Sequence, residues 1–324
     1  MRAISMRRIS WVGPLAIALL SISSTVPAQE FPTRPVRIIV PFSPGGITDV
    51  AARLIGGTMA KPLGQQVIVE NKPGADGVIA ARYVAREPAN GYTLYFNDLV
   101  AVGPLFIAND PILPGKDLVA VGDALEGAMF LFARSKLPTK WPDVLAFAKS
   151  RPGKINVGVP AKINEVAMQV VKARTGMDFT VVPYKGTGPL AVALLGGEVD
   201  LAAATVNPTI IQNLQNGSFS ALFTASSRRF PLLPDVPTAS EAGLSGFNVV
   251  FHTGFWTAPG TPAAVIKRLS TEITAAVRLP EVVDAIRKTG TDTSGTTPEE
   301  QMRNLDEEIK FWTEATRLAN YQPQ

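Results

Sequence analysis

The chain has 324 residues, 46% of them hydrophobic, with 31 Lys and Arg against 27 Asp and Glu, which gives a formal net charge of +4. This length and composition allow a hydrophobic core in one or two domains. There is no cysteine, which excludes a fold held by disulfide bonds and a thiolate nucleophile or metal site.

The first 28 residues have the pattern of a secretory signal peptide. Three arginines and no acid precede a short apolar run, and Val26 and Ala28 have the small-residue spacing of a signal-peptidase site. We therefore expect residues 1–28 to be removed on export and the mature chain to be periplasmic. Loss of the three arginines lowers the net charge from +4 to +1, so we expect no nucleic-acid partner. No later segment has the roughly 18 uninterrupted apolar residues of a membrane helix, so we expect no membrane insertion after cleavage.

The segment after the signal predicts a β-α-β-α-β unit. Three apolar runs, VRIIVPF, QQVIVENKPG and YTLYFND, have strand character, and helical patterns lie between them. Such a unit is half of a doubly wound sheet, in which ligands bind beyond the carboxyl ends of the strands. Residues 42–46 and 97–98 lie at such ends. The Pro-Gly-Gly turn at 44–46 can expose backbone N–H groups at a helix start.

The middle of the chain predicts a second α/β unit. Helical patterns lie in WPDVLAFAKSRPG, NEVAMQVVKARTG and PLAVALLGG, and strand patterns in MFLFARSKLP, KINVGVP, DFTVVPYKG, VDLAAATVNP and GSFSALFTASS. We expect the second of these helices to have Asn164 as its N-cap and to end at Gly176. A ligand cleft is expected between the two units.

After a strand pattern in NVVFHTGFW, three helices close the chain, beginning at 261–262, at Pro280 and at Thr297. Thr297 and Glu300 have the spacing of a capping box, with Pro298 at the first helical position. Periodicity alone does not assign these helices to either unit.

The residues of common enzyme sites are missing from the sequence. The single histidine, His252, lies in a strand pattern and is interpreted as structural, and there is no Gly-x-Ser-x-Gly elbow. Ser43 is followed by Pro44, which lacks the N–H that an oxyanion hole would use. There is also no phosphate-binding or dinucleotide-binding loop and no His or Cys cluster with metal spacing. We therefore expect no catalysis, no cofactor and no metal, and we interpret the chain as a binding protein.

The sequence resembles the Bug receptors, the substrate-binding proteins of tripartite tricarboxylate transporters, over essentially the whole mature chain. The segments that carry the resemblance are FPTRPVRIIVPFSPGGITDVAARLI, QQVIVENKPGADGVIAARYVAREPANGYTLYF, VPYKGTGPLAVALLGGEVDLAAA, LPDVPTASEAGLSGF and GFWTAPGTP. The resemblance implies an α/β type 2 periplasmic binding protein fold, with two doubly wound α/β lobes and a ligand cleft between them. It implies residues 29–130 and 250–324 for lobe 1, with the closing helices, and residues 131–249 for lobe 2.

The resemblance also implies a small carboxylate ligand and membrane transporter subunits as partners, and we expect a monomer. The backbone N–H groups near Gly45, with the Thr48 hydroxyl, can hold a carboxylate at the positive end of a helix, directly or through water. The candidate ligand-binding residues are Phe42, Pro44, Gly45, Gly46, Ile47, Thr48, Asp49, Asn97, Asp98, Pro160, Ala161, Lys162, Lys185, Gly186, Thr187, Thr205 and Asn207.

Three charged candidates have two interpretations each. Asp49 either complements the helix dipole or receives an ammonium or hydroxyl group of the ligand. Lys185 either lines the cleft or is a solvated turn residue. The loop at 157–165 departs from the family's Ser- and Gly-rich form with a following histidine, and it either carries Lys162 into the cleft or is simply shorter. Asp98 is also unusual, since a small hydroxyl residue is common at its position in the family.

The resulting expectation is a periplasmic solute-binding protein that delivers a small carboxylate to a tripartite tricarboxylate-type membrane transporter. An alternative with the same fold is a ligand-sensing protein that presents its ligand to a membrane signalling partner. A secreted hydrolase on an α/β scaffold is disfavoured, because the sequence offers no nucleophile and base in a recognisable arrangement.

Overall fold

The computed structural model describes residues 31–100 and 103–323, so the predicted signal peptide at 1–28 lies outside the described residues. Two β-sheets form, with helices packed against them. The strands are β1 (Val36–Val40), β2 (Val67–Asn71), β3 (Thr93–Asn97), β4 (Val119–Ala128), β5 (Phe130–Arg134), β6 (Asn156–Val159), β7 (Thr180–Pro183), β8 (Leu201–Ala204), β9 (Phe219–Thr224), β10 (Val250–Thr257) and β11 (Asp292–Thr293). The helices are α1 (Ile47–Leu63), α2 (Val78–Ala85), α3 (Trp141–Lys149), α4 (Lys162–Thr175), α5 (Thr187–Gly196), α6 (Pro208–Gln215), α7 (Ala263–Val277), α8 (Pro280–Arg287) and α9 (Pro298–Leu318).

The first sheet has the strand order β11-β4-β10-β3-β1-β2, and it confirms the predicted β-α-β-α-β unit. Strand β1 lies between β2 and β3 and is parallel to both. Ile38 packs with α1 on one face of the sheet, and Ile39 packs with α2 on the other, so both are fully buried. Burial on both faces explains the continuous apolar run of β1.

The second sheet has the strand order β7-β6-β8-β5-β9. Strand β6 is parallel to β7 and β8, and β5 runs antiparallel between β8 and β9. Helix α4 ends at Gly176, as predicted, but the prediction of Asn164 as its N-cap was wrong. Ala161 is the last residue before the helix with an extended backbone (φ −154°), so it is the N-cap and the helix begins at Lys162. Asn164 lies buried in the first turn.

The chain passes between the two sheets at Met129 and at Val249. Met129 joins β4 to β5, and Val249 precedes β10 after the return from β9. These two segments are hydrogen-bonded, since Met129 N donates to Val249 O at 2.9 Å. Two adjacent connections therefore join the sheets, and the lobe limits implied by the resemblance stay a prediction.

Helix α9 begins with the predicted capping box. Thr297 Oγ1 accepts a hydrogen bond from Glu300 N at 3.2 Å, and Glu300 Oε2 accepts one from Thr297 N at 2.9 Å. The helix then packs against β4 and β10 of the first sheet and against α4, which covers the second. Trp312 of α9 is buried edge-on against Phe106. Helix α9 therefore contacts the first sheet directly and the helix that covers the second sheet.

Candidate ligand-binding site

The turn between β1 and α1 presents the backbone at the start of a helix. Gly45 has φ +87°, which residues with a side chain rarely adopt, whereas Gly46 has an ordinary φ of −74°. Helix α1 begins at Ile47, and no side chain caps its N-terminus. Residues 42–47 are exposed, so the first N–H groups of the helix can donate hydrogen bonds to a ligand carboxylate.

The Asp49 carboxylate holds this turn in place. Its Oδ2 accepts hydrogen bonds from Gly45 N at 2.9 Å and Arg53 Nε at 3.1 Å, and its Oδ1 accepts one from Asn71 Nδ2 at 2.9 Å. The Arg53 hydrogen bond lowers the pKa of Asp49 to about 2; burial opposes this shift, and the bonds from Gly45 and Asn71 add to it. These contacts favour the structural interpretation of Asp49, and its direct contact with a ligand stays a prediction.

Arg53 and Asn71 are residues of this turn that the sequence analysis missed. Asn71 pairs in register with Val40 at the end of β1, and its Nδ2 also donates to Phe42 O at 2.9 Å. Arg53 lies one helical turn after Asp49, and an (i, i+4) pair of opposite charge is a signal that the sequence does contain. The strand register that brings Asn71 to the turn is not visible in the sequence.

Asn97 and Asp98 lie at the end of β3, beside β1. Asn97 is buried, with its Nδ2 donating to Tyr95 OH at 3.1 Å, and its carbonyl accepts from Trp256 Nε1 at 3.2 Å. Asp98 Oδ1 accepts a hydrogen bond from Val100 N at 2.8 Å. Burial raises the pKa of Asp98 to about 6, against the lowering effect of the Val100 hydrogen bond. Both candidate side chains thus make contacts within the protein.

Lys162 is the first residue of α4, at the carboxyl end of β6. Pro160 and Ala161 connect the two elements, and no side chain caps the helix. The Lys162 ammonium is 2.9 Å from Glu165 Oε2, and the two side chains are 46% and 30% exposed. An exposed pair of this kind contributes less than about 1 kcal/mol, so a ligand carboxylate can compete with Glu165 for the ammonium.

The remaining candidates follow β7 and β8. Lys185 is exposed, and Gly186 (φ +102°) is the N-cap of α5, which begins at Thr187 without a side-chain cap. Thr205 follows β8 and is partly buried. Asn207 caps α6, where its Oδ1 accepts a backbone N–H of the first turn at 2.8 Å. That bond uses the amide oxygen of Asn207, so its amide nitrogen is the atom available to a ligand.

The structure places the candidates in two groups, each at the carboxyl ends of neighbouring parallel strands. Residues 42–49 and 97–98 follow the adjacent strands β1 and β3 of the first sheet. Residues 160–162, 185–187 and 205–207 follow β6, β7 and β8 of the second sheet, where β6 lies between the other two. Within 31–100 and 103–323, no side-chain hydrogen bond or ion pair links one group to the other.

Residues 51–318 match the family model described as tripartite tricarboxylate transporter family receptor. The chain belongs to this family. The predicted resemblance to the Bug receptors is confirmed by BugT of Bordetella pertussis (strain Tohama I), which is 34% identical over 97% of this chain and 98% of BugT. The family consists of substrate-binding receptors rather than enzymes.

Solved structures of relatives have the same fold. A protein of R. palustris solved with adipate aligns with a TM-score of 0.77 at 30% identity, covering 91% of this chain and 100% of that chain. MatC from Rhodopseudomonas palustris with bound malate aligns with a TM-score of 0.71 at 32% identity, covering 88% and 99%. These alignments and the two sheets confirm the predicted type 2 periplasmic binding protein fold.

Two features are absent from the part of the chain that the structure describes. No helix there is long and apolar enough to cross a membrane. No group of three or more His, Asp or Glu side chains there is arranged to hold a metal ion. The expectations of no cofactor and no metal stay predictions.

Proposed function

We propose that this chain is a periplasmic solute-binding protein that captures a small carboxylate between two lobes and delivers it to a tripartite tricarboxylate-type membrane transporter. Lobe 1 comprises residues 29–130 and 250–324, and lobe 2 comprises residues 131–249. The mature protein is a monomer without residues 1–28. Family membership and the carboxylates bound to two relatives support this proposal.

The observation that carries the proposal is the exposed, uncapped start of α1. A carboxylate placed there accepts charge-assisted hydrogen bonds, each worth about 1.5–3 kcal/mol. Gly45 N is already bonded to Asp49, and Asn71 holds the carbonyl of Phe42. Because protein contacts order the turn, little conformational entropy is lost when a ligand binds.

We further propose that the preferred ligand carries two carboxylates. Lys162 and Lys185 lie at the ends of β6 and β7, and both side chains belong to exposed residues. One carboxylate binds at α1 and the second pairs with a lysine of lobe 2 when the lobes close about the ligand. Closure removes water from these contacts and so strengthens them.

Native mass spectrometry of protein prepared from the periplasm tests the capture directly. The expected species is one mature chain with one bound acid, released as a free carboxylate when the protein is denatured. A preparation that contains only empty chains, even after incubation with a mixture of dicarboxylates, would count against the proposal.

Delivery is tested by uptake of the identified ligand into cells that lack this gene. Transport predicts that uptake falls and that the gene restores it. A sensory protein predicts unchanged uptake and loss of a transcriptional response to the same ligand, so the two functions give opposite results.

A further inference from the structure

Helix α9 ends in a turn that fixes the backbone of Tyr321. The last helical residue is Leu318, and Asn320, just beyond it, has φ +49°. Asn320 N donates to Arg317 O at 3.2 Å, and Tyr321 N donates to Thr316 O at 2.9 Å. These two bonds form a Schellman motif, and asparagine is one of the few residues besides glycine that adopt its left-handed position. The end of the helix therefore sets the place of Tyr321.

The Tyr321 ring packs on a buried aromatic pair. Its centroid lies 5.6 Å from that of Phe106, with 47° between the ring planes, and Phe106 in turn packs edge-on against Trp312. Phe106 and Trp312 are buried, and Tyr321 is partly buried. Because the backbone and one side of the ring are both held by the protein, the aromatic face has few other positions.

The Lys162 ammonium lies close to this ring and to Glu165. Its Nζ is 6.0 Å from the centre of the Tyr321 ring, which is within reach of a cation–π contact, and 2.9 Å from Glu165 Oε2. The approach follows from the packing of α9 against α4, whose first residue is Lys162. In the proposed division of the chain, Tyr321 belongs to lobe 1 and Lys162 to lobe 2, so the contact joins the two lobes.

We propose that Tyr321 is a positioning residue for Lys162 and, through it, for the second carboxylate of the ligand. The assignment rests on the proposed function, in which that carboxylate pairs with a lysine of lobe 2. A lysine side chain is long and flexible, and it loses conformational entropy when a ligand holds it. The aromatic face reduces this loss, because it keeps the ammonium at the start of α4 before the ligand binds.

The contact with Tyr321 distinguishes Lys162 from Lys185, the other lysine of the candidate site. Lys185 is exposed, and within 31–100 and 103–323 its side chain makes no hydrogen bond, ion pair or aromatic contact. Its ammonium is therefore not held in place by the protein. The second carboxylate of the ligand binds at Lys162 rather than at Lys185.

Tyr321 and Glu165 have opposite effects on ligand binding. Glu165 attracts the ammonium but competes with the ligand, because both partners are carboxylates. The Tyr321 ring carries no net charge, so it stays beside the ammonium after the ligand has displaced Glu165. Tyr321 therefore strengthens binding, whereas Glu165 weakens it.

The first test is calorimetric titration with malate or adipate, whichever binds more tightly, and with a monocarboxylate of the same length. Tyr321→Leu, which removes the aromatic face, should weaken dicarboxylate binding about threefold, the value of an exposed cation–π contact, and leave monocarboxylate binding unchanged. Tyr321→Phe keeps the face and should bind like the wild type. Equal losses for both ligands, which a merely structural role would produce, or no loss for the dicarboxylate, would overturn the proposal.

A matched control lies in the last turn of α4. Lys172 Nζ is 5.5 Å from the centre of the Phe179 ring, and Phe179→Leu should leave the ratio of the two affinities unchanged. In a Lys162→Ala background, Tyr321→Leu should cause no further loss, because a residue that acts only through another has no effect once that residue is gone. A further threefold loss, or a dicarboxylate affinity of Lys162→Ala equal to that of the wild type, would overturn the proposal.

The contact itself is tested by NMR of the ligand-free mature protein. The Tyr321 ring should shift the ε-methylene protons of Lys162 upfield in the wild type and in Tyr321→Phe, but not in Tyr321→Leu. Asn320→Val, which disfavours the left-handed turn, should act like Tyr321→Leu, and Asn320→Gly like the wild type. Equal Lys162 shifts in the wild type and Tyr321→Leu would overturn the proposal. Absence of binding by every carboxylate in the calorimetry would instead contradict the proposed function, on which the assignment rests.

Discussion

Asp49 and Arg53 form an ion pair one turn apart at the start of α1, with 2.9 Å between Asp49 Oδ1 and an Arg53 guanidinium nitrogen. The aspartate side chain is 4% exposed and the arginine side chain 50% exposed. Arg53 is paired with the Asp49 carboxylate, which a ligand ammonium would otherwise use. The same carboxylate fixes the turn, because it accepts a hydrogen bond from Gly45 N. The N–H groups that follow are therefore ordered by the protein and open to a ligand anion.

Asp49 should make the stability of the protein depend on acid pH. Its folded-state pKa of about 2 lies below the ordinary value of 3.8, so its contribution is present above about pH 4 and is lost as the pH falls through 2. The shift corresponds to about 2 kcal/mol of unfolding free energy. Asp49→Asn should be less stable than the wild type by about this amount at pH 7, and the gap should close between pH 4 and pH 2.

Urea unfolding at several pH values measures this gap. Asp306→Asn is the control, since this exposed acid should change the unfolding free energy by less than about 0.5 kcal/mol. A gap between Asp49→Asn and the wild type that is equally large at pH 7 and pH 2 would contradict the account of the turn.

Gly45→Ala should weaken ligand binding more than an equally strained substitution elsewhere. Gly45 and Gly64, the C-cap of α1, both have positive φ, +87° and +64°, and neither has an atom within 4 Å of an added Cβ. Both changes to Ala should therefore cost about 1 kcal/mol of stability. Only Gly45→Ala should also lower affinity, by roughly tenfold, because a strained turn displaces the first N–H groups of α1 and the ligand loses one charge-assisted bond to them. Calorimetry with both variants checks this, and equal affinities would remove the turn from the site.

Lys162 should contribute to affinity when it leaves Glu165 for the ligand. Lys162→Ala should weaken binding by about tenfold, while Glu165→Gln, which removes the competing carboxylate, should strengthen it. Lys172→Ala is the matched control, because Lys172 lies on the same helix in an exposed pair with Asp178. Titrations at low and moderate salt measure all three. A loss below about threefold for Lys162→Ala at both salts would show a solvated lysine.

The mature chain should begin at Gln29, because Val26 and Ala28 set the cleavage position. The intact mass and N-terminal sequence of periplasmic protein check this directly. Protein that keeps Met1 would contradict export by a cleavable signal.

The sequence predicts those parts of the fold in which one local signal dominates. The buried parallel strand β1 and the capping box of Thr297 and Glu300 both have such signals, and both are present. Strand β4 was missed because the buried Asp123 interrupts its apolar pattern, and that carboxylate is hydrogen-bonded by Asn304 of the distant helix α9. Helix α6 was missed although it has local signals, since Asn207 is its N-cap and Pro208 its first residue; the strand pattern that precedes it was extended over these two residues.

In the candidate site, too, the sequence predicts the features that have a local signal and misses those that depend on distant residues. The Gly45 turn is visible in the sequence, because a positive φ before a helix favours glycine. The support of that turn by Asn71, and the approach of Lys162 to Tyr321, depend on contacts between residues far apart in the chain. Single-sequence periodicity contains no information on such pairs, so these residues could be found only from the fold.

The measurement that tests the central claim most directly is calorimetric titration of ligand-free mature protein with malate, adipate and monocarboxylates of matched length. We predict one site per chain, with a dicarboxylate bound at least about tenfold more tightly than its matched monocarboxylate and with that affinity reduced in Gly45→Ala. Absence of binding by every carboxylate would contradict the account. So would a wild type that binds dicarboxylate and monocarboxylate with equal affinity, together with a Gly45→Ala variant that binds them as the wild type does.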